Sequence, residues 1–177
     1  LVDAHLARRP ETAARIAAFR RFGGALLDAE SPAQMTAGAL DRALALIDRA
    51  APAPAAAGES SATIDLDRLR WRWAGPGRRV ARIEAPGATY KSFVMKIGPG
   101  LAMLDHGHAG AEWTVILDGA YEDAGGRHVA GDFIEEDEDT VHRPVADARE
   151  GCVCLIAMAG DLVAPGLAGR FARWALR

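Results

Sequence analysis

Three turns built on proline and glycine, Gly75-Pro76-Gly77, Ala85-Pro86-Gly87 and Gly98-Pro99-Gly100, constrain this chain more than any other feature. Proline fixes φ and removes a backbone donor, and glycine opens the left-handed region, so neither a helix nor a long strand runs through such a tripeptide. The segments around them alternate: Leu69-Arg-Trp71-Arg-Trp73, Val80 to Ile83, Ser92 to Ile97, Trp113 to Leu117, Ala120 to Asp123, Arg127 to Val129, Asp132 to Glu135 and Cys152 to Ala157. Short segments about eight to twelve residues apart, with turn residues between them, predict an all-β sandwich or small barrel.

Upstream the period is helical. Alanine, leucine and arginine dominate Val2 to Leu27, with Ile16, Phe19, Gly23 and Leu26 or Leu27 on one face and Glu30-Ser31-Pro32 as the stop. A second helix is expected from about Thr36 to Ala50, carrying Leu40, Leu44 and Ile47 at i, i+4 and i+7. Two helices make a thin core, so their stripes predict a partner, or a missing upstream segment that the start at Leu1 also implies. Proline, alanine, glycine and serine without periodicity at 51–62 read as a linker. The predicted organisation is a helical segment over 1–50, that linker, a barrel over 63–165, and a tail over 166–177. Leu167 to Leu176 would form a short helix there, packing Phe171 and Trp174 on the barrel.

A net charge of -3 argues against nucleic acid as a direct partner. No apolar run reaches the ~18 to 20 residues of a membrane helix, and no signal peptide is evident, so the expected location is cytoplasmic. Cys152 and Cys154 share a strand face, where their Cβ atoms stand too far apart for a relaxed disulfide.

The chemistry concentrates between Gly100 and Gly119. His106 and His108 lie at i and i+2, so on a strand both imidazoles project from one face, and Glu112 shares their parity. A fourth group must come from elsewhere. His128 lies in an apparent turn, whereas His142 follows a strand and an acidic loop and is the better candidate. Three imidazoles and one carboxylate form a nitrogen and oxygen shell suited to zinc, iron or manganese. The acidic run Glu135 to Asp139 reads as a solvated loop, and Trp71, Trp73 and Trp113 as core or rim residues.

Glycine, five residues, His-x-His, three residues, Glu, six residues, glycine is the spacing of the first cupin motif, and Gly100, His106, His108, Glu112 and Gly119 fill it. Gly131-Asp132 and His142 resemble the second motif, with Asp137 and Asp139 where proline and glycine usually stand. The run Asp105 to Ala120, with Gly131 to Asp137, Val141 to Asp147 and Cys152-Val-Cys154-Leu, is similar to the cupin-like domain of ChrR-type anti-sigma factors. The resemblance implies an α+β chain in which an N-terminal helical anti-sigma-type segment is joined by a linker to a jelly-roll cupin barrel. It implies zinc at His106, His108, Glu112 and His142, an ECF-type sigma factor as partner, and release under oxidative stress. His5 resembles the start of that family's His-x3-Cys-x2-Cys zinc motif, whose cysteine positions are Arg9 and Thr12 here. A homodimer is a further expectation, since cupins often dimerise. The competing expectation is a metal-dependent cupin enzyme, a dioxygenase or isomerase using Fe2+ or Mn2+.

Overall fold

The computed structural model describes residues 1–49, 64–84, 89–166 and 169–170. The chain divides into two compact units, Leu1–Pro10 with Ile64–Arg177, and Glu11–Thr63. The linker expected at 51–62 lies outside the described residues, as does most of the expected tail helix, Phe171 and Trp174 included.

Three helices open the chain: α1 (Val2–Leu6), α2 (Pro10–Ala29) and α3 (Ala39–Arg49). The single helix expected from Val2 to Leu27 is broken at Arg9-Pro10. Proline biases its predecessor away from the α region, yet fits the first turn of a helix, so α1 stops and α2 starts there. The last helix begins after Gly38, later than Thr36, because Gly38 adopts a φ of 71°. Neither α2 nor α3 buries a residue.

Among the described residues of the barrel unit are ten strands: β1 (Arg72–Trp73), β2 (Arg78–Ile83), β3 (Lys91–Ile97), β4 (Gly107–His108), β5 (Glu112–Asp123), β6 (Gly126–Val129), β7 (Phe133–Glu136), β8 (Val145–Ala146), β9 (Cys152–Met158) and β10 (Leu162–Val163). The large antiparallel sheet runs β1-β2-β3-β9-β5-β6, with β7 and β8 also on β5, while β10 and β4 form a second, two-stranded sheet. With the helical segment before it, this is the α+β arrangement expected, its β part an antiparallel barrel.

Alternation sorts the side chains onto two faces. Phe93, Met95 and Ile97 of β3 and Cys152, Cys154, Ile156 and Met158 of β9 point to the interior, together with Val80, Ile116 and Tyr121. Val94, Val153 and Leu155 between them join Val115 and Leu117 on the other face. That outer face is covered by Ala4 of α1, 3% exposed, with Leu1, Ile64, Leu66, Leu69 and Trp71 partly buried around it. Residues 1–10 therefore belong with the barrel, because Ala4 gains its burial from the sheet. Trp71 lies outside the strands, its indole N–H donating to Leu66 O at 3.0 Å beside a 3-10 turn over Leu66–Arg68. Trp73 is a rim residue, 62% exposed.

The two strands expected at 113–117 and 120–123 are one twelve-residue strand. Gly119 permits this with a φ of 67°, and a Cβ there would lie 2.3 Å from Gly151 O. Its pairing with β9 skips Leu117, a bulge that turns the strand from one part of the sheet to the next. No helix among the described residues is long and apolar enough to cross a membrane.

Candidate metal centre

The structure brings His106, His108 and His142 together with one ring nitrogen of each lying within 4.8 Å of the others. An isolated antiparallel bridge sets His106 against His142: His106 N donates to His142 O at 3.1 Å and His142 N to His106 O at 2.9 Å. His108 sits on β4, pinned by pairing with Leu162 of β10. Glu112 opens β5, its Oε2 3.3 Å from His108 Nε2 and its Oε1 accepting from Thr114 Oγ1 at 3.3 Å. All four residues are buried, between 3% and 7% exposed.

The partners of the rings fix where their hydrogens lie. His106 Nδ1 is 2.7 Å from Leu104 O, and a carbonyl only accepts, so Nδ1 carries the hydrogen. His142 Nδ1 is 3.2 Å from Asp123 Oδ2 and donates to that carboxylate. Neutral rings held this way present bare lone pairs at Nε2, and these two Nε2 atoms face each other at 3.1 Å. Two acceptors at that separation repel unless a cation stands with them. Neither ring nitrogen of His108, fully enclosed, completes a hydrogen bond. Buried polar atoms without partners are uncommon, and three converging imidazoles beside a carboxylate are what a nitrogen and oxygen metal shell requires. The residues present fit a metal ion.

The charges of the site act differently on its members. Burial pushes the His106 imidazole below its usual range, favouring the neutral form that offers a lone pair. Burial also pulls on His108, but the nearby Glu112 carboxylate, 3.3 Å from Nε2, outweighs it and moves this ring upward. Burial alone would raise Glu112; His108 and the other two imidazoles overcome it and hold the carboxyl low. Glu112 is thus a carboxylate among imidazoles, ready to share a cation.

Spacing alone did not reveal Asp123. Its side chain is 2% exposed and serves His142 through Oδ2 and His128 Nε2 through Oδ1 at 3.2 Å, with Gly125 N donating to Oδ1 at 2.9 Å. A carboxylate behind a histidine fixes the ring's tautomer and orientation, which places Asp123 in a supporting position. His128, expected in a turn, lies on β6 and is joined to His142 through Asp123. Of the acidic run, Glu136 approaches His142 Nδ1 at 3.9 Å, while Asp137 closes the loop by accepting from Thr140 Oγ1 at 2.8 Å. Cys152 and Cys154 are free and buried; the neighbouring Cys152 and burial push the Cys154 thiol well up, so it stays protonated. A cavity of about 40 Å³ adjoins the histidines, lined by Phe93, Met95, Ile97, Met103, Tyr121 and Ile156 among others.

Residues 59–160 match the ChrR cupin-like domain. The chain belongs to the ChrR cupin-like family. Anti-sigma-E factor ChrR of Cereibacter sphaeroides is 34% identical over 167 residues, which span 89% of this chain and 78% of its own. The crystal structure of Rhodobacter sphaeroides SigE in complex with the anti-sigma ChrR superposes with a TM-score of 0.63 at 36% identity, covering 89% of this chain and 85% of the matched one. A putative acetylacetone dioxygenase from Methylibium petroleiphilum PM1 shares the fold, with a TM-score of 0.50 at 16% identity over 60% of this chain and 82% of its own. The ChrR cupin-like match accounts for the barrel, and the longer alignments to ChrR reach beyond it into the helices.

Proposed function

We propose that this protein is an anti-sigma factor that binds an ECF-type sigma factor through α2 and α3 and carries a regulatory zinc ion in its barrel, held by His106, His108, Glu112 and His142. The observation that carries the reading is the extent of the similarity to ChrR: it covers 89% of the chain, against the 59–160 of the cupin-like domain alone, and so includes the helices. Their surfaces support it. Phe19, Phe22 and Leu26 lie along one side of α2 and Leu40, Leu44 and Ile47 along one side of α3, each at least 50% exposed. Apolar faces of that kind favour a protein partner.

His106, His108, Glu112 and His142 would supply the four protein groups that a structural or sensory zinc site usually takes. When bound, the ion would supply folding energy and a link between metal loss and the barrel's conformation. A cavity of about 40 Å³ is far below the roughly 300–1,000 Å³ of small-molecule sites, which weighs against a dioxygenase or isomerase acting on an organic substrate. A sigma-factor partner supports a cytoplasmic site of action.

Co-purification of the full chain with the ECF-type sigma factors of its own genome tests the reading, and stable capture of one of them is expected. Phe22→Asp and Leu44→Asp should each weaken that complex by about ten-fold or more, the loss typical of a buried interface anchor. No binding to any such factor would overturn the assignment.

A further inference from the structure

We propose that residues 1–10 form a latch that passes the state of the metal site to the start of α2, an inference that rests on the metal reading above. Strands β5 and β7 pair from Glu112↔Glu136 to Val115↔Phe133. At one end of this short ladder stand Glu112 and the loop from Glu136 to His142. At its other end β7 emerges from the Gly131-Asp132 turn, and β5 reaches the bulge at Leu117. Four paired residues span only ~13 Å.

The first ten residues grip that second end. His5 Nδ1 donates to Gly131 O at 2.6 Å, and its ring meets Phe133 edge-on with centroids 5.9 Å apart. Arg8 Nε donates to Leu117 O, the carbonyl of the bulged residue, at 3.1 Å. Arg9 Nη2 lies 2.5 Å from Asp132 Oδ1, while Asp132 Oδ2 accepts from Val129 N at 2.8 Å, so one carboxylate ties the arm to the turn. A Cβ on Gly131 would come 2.8 Å from Arg9 Nε and 3.1 Å from Arg8 Cβ, so the arm packs closely on this turn. Pro10 follows at once and begins α2. Packed elements shift as units rather than absorbing strain, so a change in the His142 loop moves the Gly131-Asp132 turn and, through Arg9, the first turn of α2.

Amide hydrogen exchange of the full chain, chelated and then titrated with zinc, tests the latch. Zinc should slow exchange over residues 2–9 by about five-fold or more, the lower range of coupling between linked sites. Arg9→Ala should bind zinc with unchanged stoichiometry but lose this response, and Arg9→Lys, which keeps a donor for Asp132, should restore it. Stoichiometric zinc with unchanged exchange over 2–9, or a full response in Arg9→Ala, would overturn the latch and leave the metal reading standing. Failure of the wild-type chain to bind zinc would overturn both.

Discussion

His106 and His142 point bare Nε2 atoms at each other because Leu104 O and the Asp123 carboxylate hold their other nitrogens. That makes Asp123 a position where a single atom matters. Asp123→Asn should lower zinc affinity by about 10- to 100-fold, read by competition with a chromogenic chelator, with the fold retained. The four candidate ligands were legible because two motif spacings name them. Asp123 was not, since its role arises from contacts to His142 and His128 that no local pattern encodes. A second carboxylate makes a prediction about acid. Backbone N–H of Arg149, the Arg127 guanidinium and backbone N–H of Glu150 hold the Asp147 carboxyl down at about 2. A depressed carboxyl contributes stability above its unfolded value of 3.8 and loses it as pH falls through the folded value. Metal-free protein should therefore lose thermal stability between about pH 4 and pH 2, and Asp147→Asn should flatten that slope in thermal melts across the same range.

Among the elements, β5 does the most organising. It starts at Glu112, bulges at Leu117, turns at Gly119 and pairs with β6, β7, β8 and β9. Gly119→Ala would put a methyl against Gly151 O at a positive φ, and should destabilise the barrel by about 2 kcal/mol or more, seen as a lower denaturation midpoint. Alternation made most of the strands readable. It could not show that Gly119 continues a strand, because glycine usually marks a turn and only the close approach of β9 reveals the other use. The two-residue strands β8 and β10 were likewise invisible, since two residues carry no period. Pro10 was seen, but its consequence, a break that frees α1 to lie on the sheet, depends on the burial of Ala4.

Across the whole chain, a barrel with a candidate metal centre and a pair of helices with exposed apolar faces fit a regulator more closely than a catalyst. The barrel encloses its candidate centre with small clearance, and the helices keep Phe22, Leu27 and Ile47 in solvent at 63%, 76% and 68% exposure. The boundary expected at residue 50 missed the membership of residues 1–10 in the barrel unit, because helix propensity says nothing of which surface a short helix covers. Chelation should lower the barrel's thermal midpoint, since ligands built by the fold bind the ion only in the folded state. The most direct test is the metal content of the purified full chain by elemental analysis. About one zinc per chain, lost in the His106→Ala/His142→Ala double variant, is predicted for a closed four-ligand centre. A wild-type chain with no stoichiometric metal, or a double variant that keeps its zinc, would contradict it.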